Sequence, residues 1–132
     1  MTYFKAAVKK IVSNDMLTLV YFDVMGSEVV MMSLEMNRKL RVGQGVRLGV
    51  KPTAIALLKE ECRGSFANSL PVQVTGVEEG ELLSMVKFQL ADNACEAILI
   101  RQNLQALDIQ VGDKVFAVFM ASELSVQEIY NV

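Results

Sequence analysis

Apolar residues recur at near-alternate positions along most of this chain, the period of a half-buried β-strand. "MLTLVYFDV" (Met16 to Val24) and "LLSMVKFQL" (Leu82 to Leu90) are rich in β-branched and aromatic residues, which favour strands. Shorter runs flank them. "AAVKKIV" and "VQVTGVE" read as preceding strands that end at the turns "SND" and "EEG". "EVVMMS" and "EAILI" read as following strands, reached through the turns "MGSE" and "ADNA". The period then changes. "LEMNRKL" and "RQNLQALD" suit short helical pieces, and each leads into a Val-Gly turn. The fourth strands end at Lys51-Pro52-Thr53 and Met120-Ala121-Ser122. "AIALLK" and "LSVQEIY" complete the set, each expected to close its own copy. A helix over "PTAIALLKEEC" competes with the strand reading, since Pro52 suits a first turn, but "SELSVQEIY" is poor helix material.

The chain therefore says the same thing twice. Val42-Gly43 lies over Val111-Gly112, and Ile11, Leu17, Val20 and Phe22 lie over Val77, Leu83, Val86 and Phe88. The two alignments differ by three positions, which places a short insertion in the second copy, expected near "ADNACEA". Five short strands and one helical turn per copy predict an all-β protein of two tandem, OB-like, five-stranded barrels. The first unit is 1–62, the second 63–132, and the polar stretch at about 60–69 joins them. Units this small bury a limited share of their surface, so the copies are expected to pack on each other and on another chain.

Composition narrows the function. A hydrophobic content of 52% is ample for a core and excludes a disordered tail. The formal charge of −2 argues against nucleic acid, which needs a basic face. No apolar run approaches a membrane span, and "MTYFKAAVKKIVSND" lacks the parts of a signal peptide, so a soluble cytoplasmic protein is expected. There is no histidine, P-loop or GxSxG, so no enzyme is expected. Cys62 and Cys95 are too far apart in sequence for a CxxC motif and read as free thiols. The eight methionines sit mostly in strand-like runs and read as core filling, with no bare-metal site.

"VGQGVRLGVKPTAIAL" and "VGDKVFAVFMASEL" resemble the end of the TOBE, or molbindin-type, domain. Two such units in one chain are similar to the tandem of molbindins and of the C-terminal part of molybdate-responsive regulators. The resemblance covers about Phe4 to Val126. It implies small barrels, assembly into dimers or larger rings, and molybdate or tungstate held between units, with no other cofactor. A tetrahedral dianion asks for backbone N–H groups, hydroxyls and one or two cations, because charged donors make the strong hydrogen bonds to an anion.

The resemblance also implies a ligand set. Ser65 and Asn68 match the Ser-Ala-Arg-Asn segment that opens a unit, and Ser33 matches a hydroxyl before the helical turn. Arg101 is an extra cation beside the equivalent place in the second copy. Lys51 matches the lysine that ends the fourth strand, and Ala121 and Ser122 match the small residues after it. A composite site is expected, with the cation from one copy and hydroxyls from the other. The implied function is an intracellular oxyanion-binding protein for storage, homeostasis or sensing, with molybdate transporter components as partners. The alternative follows from Ala67, Ile100 and Met120, which depart from the pattern. It is a ligand-free TOBE pair that serves as an interaction or regulatory module for a transporter ATPase or regulator.

Overall fold

The computed structural model describes residues 1–34 and 39–130. The fold is all-β, with two curled five-stranded sheets that form two small OB-like barrels. In the first half the strands are β1 (Thr2–Ser13), β2 (Thr18–Val24), β3 (Ser27–Ser33), β4 (Gly45–Val50) and β5 (Ala56–Leu58). In the second they are β6 (Asn68–Glu79), β7 (Leu83–Leu90), β8 (Asn93–Ile100), β9 (Lys114–Phe119) and β10 (Ser125–Ile129). The helix α1 (Arg101–Leu107) lies between β8 and β9. Its counterpart in the first half, expected over "LEMNRKL", falls largely outside the described residues. The competing helix after Pro52 is a single 3-10 turn, Pro52–Ala54, matched by a second at Ala121–Glu123.

Alternation builds each sheet. In β2 the side chains of Thr18, Val20, Phe22 and Val24 are buried, with Tyr21 and Asp23 between them on the outer face. In β7 Ser84, Val86, Phe88 and Leu90 do the same. The inner faces share one apolar core, in which the rings of Phe4 and Phe119 meet with centroids 6.4 Å apart.

One expectation is corrected. The closing strands are exchanged: the sheet orders are β10-β4-β1-β2-β3 and β5-β9-β6-β7-β8. Thus "AIALLK" closes the second sheet, with Ala56 opposite Val118 and Leu58 opposite Phe116. "LSVQEIY" closes the first, with Ser125 opposite Gly49 and Ile129 opposite Val46. After the fourth strand of each half, the 3-10 turn carries the chain away from the sheet it has just left.

The insertion is also not where it was expected. Both hairpins in question turn through two residues, Met25-Gly26 and Ala91-Asp92, so "ADNACEA" holds nothing extra. The additional residues lie between Ile100 and Lys114, in the segment that contains α1.

The repeated Val-Gly motif has a definite task. Residues 41–44 and 110–113 are β-turns closed by Gln44 N–H to Arg41 O at 3.2 Å and Asp113 N–H to Gln110 O at 3.1 Å. Gly43 and Gly112, each third in its turn, have φ of 94°, which a type II turn demands and L side chains resist. Each glycine donates its N–H to the carbonyl of a bulged strand, Gly43 to Val8 and Gly112 to Val74, both at 2.8 Å. The ladders slip one residue just there, between Val8 and Lys10 and between Val74 and Gly76. The bulge frees a carbonyl and the turn satisfies it. Gln110 N–H and then Lys59 hold the Asp113 carboxyl below the usual carboxylate range, and Lys59 also donates to Asp108 O at 3.0 Å. The end of the first half is thereby pinned to a turn of the second.

A Cβ on Gly43 or Gly112 meets nothing within 4 Å, so only the backbone angle opposes a side chain. Gly43→Ala and Gly112→Ala are each expected to lower stability by about 1–2 kcal/mol. Urea denaturation followed by circular dichroism checks this, and an effect near zero at either position contradicts it.

Candidate functional site

Every sheet with free edges exposes backbone groups that want partners. Here the edges are β3 and β8 on one side and β10 and β5 on the other. Each of β3 and β8 is held by one polar side chain from the opposite half.

Asn68, fully buried at the start of β6, spans the β3 edge. Its Oδ1 accepts the Val30 N–H at 2.7 Å and its Nδ2 donates to Val30 O at 3.0 Å. β3 also packs on the turn Ala121–Glu123. This first seam gathers four of the expected residues. Asn68 lies opposite Phe119, Ala121 is half-buried, Ser122 is exposed, and Ser33 ends β3 opposite Thr18. Ser65 is exposed in the turn that leads to Asn68. That turn is tight, with Asn68 N–H bonded to Phe66 O at 2.8 Å around Ala67 at φ 68°. A three-residue turn with positive φ is the rare form, and alanine holds it under strain.

Thr2 does the same work at the second seam. It starts β1 opposite Val50 and is 3% exposed. Its Oγ1 donates to Glu96 O at 2.6 Å and accepts the Glu96 N–H at 3.0 Å, which uses its one proton. β8 packs on the turn Pro52–Ala54, as β3 packs on its twin. Lys51 stands at the mouth of this seam, exposed, directly before the turn. Among the described residues its ammonium forms no ion pair.

The structure thus splits the expected ligand set over two seams. Lys51 stands at one, beside Thr53 and Thr2, which the sequence reading did not name, while Asn68, Ala121 and Ser122 stand at the other with Ser33 at the end of its edge strand. Arg101 is already engaged: its Nε lies 3.1 Å from Glu79 Oε1, and Gln105 Nε2 donates to the same oxygen at 2.8 Å. Those two donors, Gln105 foremost, hold the Glu79 carboxyl below its ordinary range. Beside Arg101 a groove of about 400 Å³ opens between β5, β8 and α1. Ile55, Leu57, Ile98, Ile100 and Leu107 line it with Asn103, which makes it a poor home for an anion. Thr2 escaped the sequence reading, although it aligns with Asn68 and is the small polar residue that opens its strand. Among the described residues no cluster of three or more Cys, Asp or Glu is arranged to hold a metal ion, and no helix is long and apolar enough to cross a membrane.

The second half, with its bulge, turn and closing pattern, matches a known family model, that of the TOBE domain, over residues 64–126. The first half repeats the elements of that matched segment strand for strand. Two molybdate/tungstate import ATP-binding proteins, WtpC of Pyrococcus horikoshii and WtpC of Pyrococcus abyssi, are 31% and 32% identical to this chain over 81 residues. The match covers 61% of this chain and 24% of each of those proteins, so the chain spans about a quarter of their length. The cytoplasmic molybdate-binding protein ModG, crystallised with molybdate bound, superimposes with a TM-score of 0.86 at 22% identity, over 94% of this chain and 93% of ModG. That likeness is one of fold, and it extends over both halves of the chain.

Replacing Asn68 by leucine removes both partners of Val30 at a fully buried place. The expected loss is about 2–4 kcal/mol, several times that of an exposed Ser65→Ala, read from chemical denaturation. The two thiols are expected to differ as well. Burial first, then the nearby Glu96 charge, raises the Cys95 thiol to about 12, while Cys62 is exposed. At neutral pH a thiol reagent should titrate one cysteine in the folded protein and both in denaturant. Rapid labelling of both in the folded state overturns this.

Proposed function

We propose that this chain binds molybdate or tungstate and releases it unchanged, as a cytoplasmic store, buffer or sensor coupled to molybdate transport. The observation that carries the reading is Lys51, whose ammonium forms no ion pair among the described residues and which follows β4 where a strand of one half meets the edge of the other. The exposed Thr53 hydroxyl follows two residues later. A charged donor beside hydroxyl and N–H donors is what a tetrahedral dianion requires. The seam is built from both halves, so its donors are held by two sheets and need little reordering when the anion arrives. The printed functions of the relatives support the same reading, since WtpC belongs to molybdate/tungstate import and ModG binds molybdate.

Calorimetric titration with molybdate, tungstate and sulfate tests it. Heat with molybdate or tungstate is expected, and Lys51→Ala should weaken that binding by about ten- to a hundred-fold, the worth of one charged hydrogen bond. No heat with any oxyanion at millimolar concentration removes the proposal.

A further inference from the structure

The two halves correspond residue by residue, which makes their differences informative. Thr2 corresponds to Asn68, Lys51 to Met120, Thr53 to Ser122 and Ala54 to Glu123. At the first-half turn the sequence is Lys51-Pro52-Thr53-Ala54, with no acid in the turn. At the second it is Met120-Ala121-Ser122-Glu123, with Glu123 inside the turn. The lysine is gone and a carboxylate has been added, so the formal charge of the turn changes from positive to negative.

We propose that each chain holds at most one oxyanion, at the Lys51 turn, and that Met120 and Glu123 close the twin place to anions. The inference rests on the oxyanion reading above and adds to it the residues that decide which seam is occupied. The backbone frame does not decide it. Both turns have the same 3-10 form, closed by Ala54 N–H to Lys51 O at 2.9 Å and Glu123 N–H to Met120 O at 3.0 Å. Both keep an exposed hydroxyl at the same step, Thr53 or Ser122. Both face an edge strand clamped from the other half. The turns also differ in Pro52 against Ala121 and in the clamp, Thr2 against Asn68. Ala121 has a backbone N–H that Pro52 lacks, so the difference that disfavours an anion at the second turn is charge: a dianion is repelled by the Glu123 carboxylate and left without a cation there. Glu96, the acid that shares the Lys51 seam, lies opposite Lys87 in the β7–β8 ladder.

The test counts molybdate bound per chain, by equilibrium dialysis with metal analysis, on the unaltered chain and three variants. The unaltered chain should bind no more than one per chain, and Lys51→Ala should lower the affinity about ten- to a hundred-fold, so that it stays largely empty at molybdate concentrations that just fill the unaltered chain. The double variant Met120→Lys with Glu123→Ala should bind up to two. Met120→Gln with Glu123→Gln, which removes the acid without adding a cation, should stay at one. Two molybdates per unaltered chain, or binding that survives Lys51→Ala and disappears on changing Ser122, overturns the inference while leaving an oxyanion-binding protein. Absence of binding by the unaltered chain overturns the oxyanion reading and this inference with it. Thermal melts of each variant confirm that a lost equivalent is not a lost fold, and both turns are solvent-exposed at the substituted positions 51, 120 and 123.

Discussion

The exchange of closing strands is the constraint on which this structure rests. A half-chain of this length buries too little apolar surface to be robust alone. By lending β5 to the second sheet and taking β10 into the first, the two halves merge their inner faces into a single core. The Phe4–Phe119 contact lies within that shared interior. The exchange also sets the position of both 3-10 turns. Each bridges a strand of one sheet and a strand of the other, so each stands at a boundary.

Edges that remain are handled by side chains. Asn68 and Thr2 each pair with both backbone groups of a single edge residue, Val30 or Glu96. An amide and a hydroxyl solve the same problem because each can donate and accept at once. This fixes the seams tightly while leaving the turns beside them open to solvent. Each seam is thus tied from both halves, and Lys51 stands exposed beside one of them.

Much of the fold was readable from the sequence. The strands announced themselves through their period, and the repeat through the Val-Gly turns, whose glycines must adopt a positive φ. The exchange was not readable. "AIALLK" and "LSVQEIY" carry the same kind of pattern, and either suits the edge of either sheet. The insertion was misplaced because the segments that differ in length share no residues to anchor an alignment, while the two hairpins share theirs. In the candidate site, Lys51 was named because the resemblance puts a lysine at the end of the fourth strand, a place where the other half has Met120. Thr2 did not, since its partner Glu96 is remote in sequence and contributes only backbone. Arg101 looked available until its bond to Glu79, on a different strand, was seen.

The exchange has a consequence for how the protein is made. Strand β5 has no sheet to join until residues 116–118 have been synthesised, and β4 keeps a bare edge until residues 125–129 follow. Neither barrel can be completed on the ribosome before the other has begun. The halves are therefore expected to reach their final form together, in one late and cooperative event, although each repeats the other's plan.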